Sequence, residues 1–420
     1  MSVFMAHGLD MPAAAGNTIL RPRMRLAPAS GGAAAADGAG QPAGVRRGHS
    51  AAADPRLAVA ELKAQIDQPD PALVMFFCSP AYDRRELAAA VAEAFPGVLT
   101  VGCTSAGEIT PAGYRSGSLT GLSLGRRLCH AEAIGIDRLS EFGVTNGADA
   151  VRALTGRMRD TVGSNFAGQC FAMLLIDGMS GAEDTVLSAL HAGMGEIPLF
   201  GGSAGDDLNF SRTFVFKDGA FHQDAAVLVL IHSQAPFRVF KTQHFIGSDK
   251  KMVITGAEPL KRIVTEINAE PAGEEFARMV GLEVEELSPM IFATHPVVVK
   301  VGGSDYVRSI QKVNEDGSLS FFCAIDEGLV LSVGRSVDPY ENLRQLFTDV
   351  VAEIGPPQLI IGCECVLRSL EMERMRLKPR MSQLLVDHNV IGFNTYGEQL
   401  NAMHVNQTFT GVAIGFGDAR

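Results

Sequence analysis

Three stretches of this chain set a hydroxyl, a glycine and an acid at one spacing: Ser105-Ala106-Gly107-Glu108, Ser203-Ala204-Gly205-Asp206 and Thr395-Tyr396-Gly397-Glu398. Each follows a strand-like run, at 98–101, 197–200 and 389–391. Glycine lets a backbone turn sharply or approach a neighbour closely. Carboxylates gathered in one pocket can move protons or hold a cationic ligand. The plainer alternative is that each acid caps its own turn by accepting backbone N–H groups. If the turns face one cleft, Ser105, Glu108, Ser203, Asp206, Tyr396 and Glu398 form a ligand pocket.

Two further patterns suggest chemistry. Gly201-Gly202-Ser203-Ala204-Gly205 has the G-x-S-x-G spacing of an esterase elbow. That motif needs a helix directly after the serine, whereas residues 206–209 read as loop, so a Ser203 hydrolase is the lesser reading. His244 and His404 lie among Met, Phe and polar neighbours, where a neutral imidazole can ligate haem iron. Arg238 and Lys241 stand near His244 in sequence and can anchor propionates. The competing reading of each is a hydrogen-bonded structural histidine. The chain has no C-x-x-C-H for covalent haem attachment. Cys363-Glu364-Cys365 is too tight for half a zinc site and reads as small core residues.

These residues must be positioned by repeated strand–helix–strand–glycine-turn–strand units. The first runs over 72–124, with a helix over 82–95. The second runs from an apolar strand at 171–176, through a capping-box helix starting at Ser180, to a hairpin of 212–216 with 226–231 across Asp218-Gly219. A helix over 147–162 links these units. The third has a strand at 358–362, a helix over 364–377 with an exposed Glu/Arg face, and a closing strand at 409–416. Between units two and three lies a β-rich stretch, with helices expected near 258–268, 271–280 and 338–353. The fold class is therefore α/β with mixed sheets in two halves, 54–235 and 236–420.

Residues 1–53 are dominated by Ala, Gly and Pro and read as a disordered tail, or as an over-extended start. The net charge of −11 argues against a nucleic-acid partner. No apolar run reaches the length of a membrane span. Seven cysteines, an odd number set mostly in apolar runs, fit reduced thiols in the cytoplasm.

The segments Cys78-Ser79-Pro80-Ala81-Tyr82-Asp83, Val101–Ile109 and Phe200–Asp206 resemble the N-terminal FIST domain. Residues 362–370 and 392–398 resemble the end of the C-terminal FIST domain. The resemblance covers about 55–417 and implies a bacterial or archaeal ligand-sensing module in signal transduction. It further implies a stand-alone sensor, with a separate histidine kinase or cyclic-di-GMP enzyme as partner; a homodimer is compatible with it. One subgroup of such proteins binds haem and senses nitric oxide, and the stretches around Cys363 and His404 are similar to it. His404 and His244 are then the expected iron ligands. The alternative is a haem-free sensor of a small organic ligand such as an amino acid.

Overall fold

The computed structural model describes residues 44–417 apart from Asn165 and Gly302. Three copies of one unit build most of it. Each copy runs outer strand, helix, central strand, helix, turn strand, hairpin, closing strand. The outer strands are Val45–Ser50, Cys129–Asp137 and Phe237–Gln243, and the central strands are Pro71–Cys78, Cys170–Ile176 and Leu359–Cys365. The turn strands are Thr100–Thr104, Leu199–Ser203 and Val390–Thr395. Each turn strand runs parallel to its central strand, as in Val74↔Thr100, Ala172↔Leu199 and Ile360↔Val390. The central strands are buried and almost wholly apolar, Glu364 being the charged exception, because helices cover one face and the shared core the other.

The hairpin after each turn leaves its own unit. Glu108–Thr110 of the first copy pairs with the third copy's turn strand, at Ile109↔Gly392. Glu398–Leu400 of the third pairs with the second copy's turn strand, at Glu398↔Gly202. Val215–Lys217 of the second pairs with the first copy's turn strand, at Phe216↔Gly102. The three sheets thus exchange edges in a ring. Their inner faces share one core, in which Phe77 stacks on Phe393 with ring centroids 4.3 Å apart.

A separate β-rich body, Phe245 to Ser336, is spliced into the third copy between its outer strand and its first helix, Pro339–Ile354. Here a strand, Ile263–Ile267, occupies much of the stretch expected as a helix over 258–268. The Asp218-Gly219 hairpin forms, but its second arm is Ala220–His222. Ala225–Ser233 instead closes the second sheet against Cys170–Ile176.

Of the expected tail, residues 1–43 lie outside the described residues. Val45–Ser50 does not belong to a tail, since it pairs antiparallel with Leu119–Gly125 and buries Val45, Gly48 and Ser50. Its two arginines hid that alternation; one, Arg47, donates to Asn389 Oδ1 at 2.8 Å. Among the described residues no helix is long and apolar enough to cross a membrane.

Candidate functional site

The three glycine turns meet, and they meet backbone to backbone. Gly205 N donates to Thr104 O at 3.0 Å, Ala106 N to Asn394 O at 2.9 Å and Ser203 N to Gly397 O at 2.8 Å. Gly205 is needed for this approach, because a Cβ there would sit 2.7 Å from Ala106 N. The turns therefore form a hydrogen-bonded hub.

Their acids are spent on that hub. Ser105 Oγ donates to Glu108 at 2.5 Å, and Ser118 donates to its other oxygen through N at 3.1 Å and Oγ at 2.6 Å. The third copy repeats the scheme: Thr395 Oγ1 donates to Glu398, as do Thr408 N at 3.2 Å and Oγ1 at 2.6 Å. Burial pushes the Glu108 carboxyl up to about 7 and that of Glu398 to about 8. Asp206 accepts Ser211 N and Arg212 N on one oxygen and the Tyr396 hydroxyl on the other. So the acids do not share one pocket: each ties a turn to its own closing strand or loop.

Ser203 accepts from Gln399 Nε2 at 2.9 Å and reaches Glu183 at 3.5 Å. The chain after it continues as loop to Thr213 rather than as helix. The esterase-elbow requirement fails at that point.

The histidines occupy unlike surroundings. His244 is fully buried, with Nδ1 2.6 Å from Arg368 and Nε2 2.5 Å from Glu371. Arginine can only donate, so Nδ1 accepts and Nε2 carries the proton. No ring lone pair is left for iron. Arg238 pairs with Glu353, and Lys241 lies over the Tyr306 ring. The Glu/Arg face expected to be exposed over 364–377 is split: Glu364, at the end of the central strand, and Arg368 and Glu371 are buried in this network, while Glu373, Arg374 and Arg376 are exposed.

His404 is also buried, yet neither ring nitrogen has a partner. Burial lowers its pKa, so the ring is neutral and offers one donor and one acceptor. It stands opposite Gln399 across a strand pair and against Gly397, where a Cβ would lie 2.1 Å from the ring. Both amide atoms of Asn406 and Oε1 of Gln407 are likewise buried without partners. So is Arg308 Nε, while Arg308 NH1 reaches the His404 carbonyl at 3.4 Å. Orphaned buried polar atoms are costly, and such a concentration calls for an explanation such as a ligand.

Charged groups of both signs act on His404. Arg308 has no carboxylate within ion-pair distance among the described residues, and Arg262 faces two, Glu183 at 2.8 Å and Asp184 at 3.1 Å. The site thus offers a spare cation and a spare anion. Phe210, Phe322 and Tyr396 pack together beside it, with centroids 4.7 to 6.3 Å apart. Phe210 and Asp207 hold left-handed backbone angles of 48° and 60°, as constrained sites often do. These guanidinium and amide neighbours suit a small polar molecule better than a porphyrin, whose faces need a broad apolar slot. Sequence reasoning pointed to His404 and Tyr396 but missed Arg308, Asn406, Gln407 and Glu183, which are single polar residues in no motif.

The FIST N domain matches residues 72–270 and the FIST C domain residues 272–401. An uncharacterized protein of Methanocaldococcus jannaschii is 24% identical over an alignment 318 residues long that covers 66% of this chain. The match spans 60% of that relative's length.

Proposed function

Since the chain belongs to the FIST family, whose domains have a small-ligand sensing role in signalling, we propose that it senses a small zwitterionic molecule of amino-acid type. The carrying observation is the set of buried, partnerless polar atoms on His404, Asn406 and Gln407, with Arg308, Glu183 and Asp184 near enough to act on His404. A ligand carboxylate would pair with Arg308 and a ligand ammonium would turn toward Glu183, with the amide groups reading the atoms between. Phe210, Phe322 and Tyr396 offer an apolar wall for a side chain. The seven cysteines, buried and unpaired, support a reducing compartment such as the cytoplasm. The signalling partner is proposed, on the family resemblance, to be a separate histidine kinase or cyclic-di-GMP enzyme.

Thermal shift of the full chain against the standard L-amino acids tests this reading. A binder raises the melting temperature, and Asn406→Ala with Gln407→Ala should abolish that rise. No shift with any of them, or a shift unchanged in the double variant, would reject it.

Haem at His404, with nitric oxide as the signal, is the second reading. One observation favours it: both nitrogens of that ring lack partners. A Soret band with added hemin that His404→Ala removes would support it, and a colourless preparation would count against it.

A further inference from the structure

The segment Phe245 to Ser336 is a body of its own. Its sheet takes every strand from that segment. So does its core, which includes Met252, Val264, Phe276, Phe292 and Leu331. The chain enters at His244 and leaves at Val337, and Val337 N donates to His244 O at 2.7 Å. Beneath this crossing, Glu371 holds His244 and also accepts Ser336 Oγ at 3.3 Å, while Arg368 bridges His244 to Glu364. This end is pinned by a buried ionic network.

The far end is held differently. Arg262, at the turn before Ile263–Ile267, donates to Gly181 O, Glu183 and Asp184 of the second copy. Its backbone is left-handed, with φ of 57°. Beside it Ala324 N donates to Asp184 at 3.3 Å. Against the third copy, Arg308 reaches the His404 carbonyl at 3.4 Å, Gln407 Nε2 donates to Ala293 O at 2.9 Å and Arg374 to Thr294 Oγ1 at 3.3 Å, and an apolar cluster sets Ala293 and Phe322 against Leu367 and Tyr396. A unit with its own core, a pinned crossing at one end and a polar contact at the other has the construction of a hinged body.

Resting on the ligand reading above, we infer that the 245–336 body swings about His244 and Val337. Arg262 is its latch in the free protein. Arg308, which makes one long hydrogen bond to the third copy in the free protein, is a second latch that the ligand tightens, because the ligand would bridge Arg308 on the body to Glu183 on the second copy. The closed body is then the state a partner reads.

Hydrogen–deuterium exchange of the full chain tests this. Arg262→Gln should raise exchange across 181–187, 258–268 and 404–407 and leave the central strands as in wild type. Arg262→Lys should fall between the two, and the exposed Arg344→Gln should change nothing there. Unaltered exchange in Arg262→Gln, or a rise shared equally by the central strands, would overturn the latch. In a second arm each standard L-amino acid is added singly. One that binds should protect the same segments in wild type, and Arg308→Gln should show no such protection relative to its own ligand-free exchange. Binding without protection would overturn the movement and leave the ligand reading standing. Failure of every amino acid to bind would remove the ligand reading, and the Arg262 variants would still decide the latch.

Discussion

Glu398 should make this protein less stable as pH rises through the neutral range. It is fully buried, and three donors from Thr395 and Thr408 favour its charged form. Burial outweighs them, Glu364 repels the charge further, and the carboxyl stays protonated up to about 8 against an ordinary 4.5. Between those values the folded chain holds a proton that the unfolded chain has released. Stability therefore falls with rising pH across that window. At about 1.4 kcal/mol per pH unit, the whole window is worth at most about 5 kcal/mol. The first copy adds a smaller effect of the same sign, because Glu108 rises to about 7. Urea denaturation at a series of pH values should show wild type losing stability steadily above pH ~5. Glu398→Gln keeps an oxygen for Thr408 and turns an N–H toward Thr395, so it mimics the protonated acid. It should flatten the curve by up to about 1.4 kcal/mol per pH unit and exceed wild type at alkaline pH. Parallel curves for the two proteins would refute the reasoning.

Other consequences are as direct. Gly397→Ala should cost about 1–3 kcal/mol, because its Cβ meets the His404 ring at 2.1 Å; adding His404→Ala should recover most of that in the same denaturation assay. Arg368→Met should cost about 3–5 kcal/mol, since Glu364 would remain buried without its cation and His244 Nδ1 without its donor. Tyr396→Phe removes the hydroxyl that binds Asp206 and Phe210 N, so limited proteolysis should cut sooner within 206–212. A thiol reagent should label none of the seven cysteines quickly until denaturant is added, because all are buried and desolvation pushes thiols such as Cys129 and Cys170 up to about 12.

The three turns were legible because a hydroxyl, a glycine and an acid recur at fixed spacing behind apolar runs. The meeting of those turns followed from the same repetition. What each acid does was not legible: a carboxylate that caps a turn and one that holds a ligand look alike until its donors, here Ser118 and Thr408 ten residues on, are placed. The edge exchange left no local trace, since a hairpin reads the same whichever sheet receives it. Glu364, Arg368 and Glu371 have the spacing of a solvated helix face, and only tertiary contact with His244 shows that they neutralise one another inside. The helix expected at 258–268 failed because a short apolar run fits either period, and pairing with 254–258 made it a strand.

The ring of traded edges bears on how the molecule is made. A ribosome delivers the first copy's central and turn strands long before Val215–Lys217, which completes their sheet. The second copy waits longer, for Glu398–Leu400 of the third copy. Only the third copy finds its guest strand, Glu108–Thr110, already emerged. A nascent chain halted between the two family domains would carry one sheet with a bare edge, so cutting the gene there should yield fragments that must be co-expressed to become soluble.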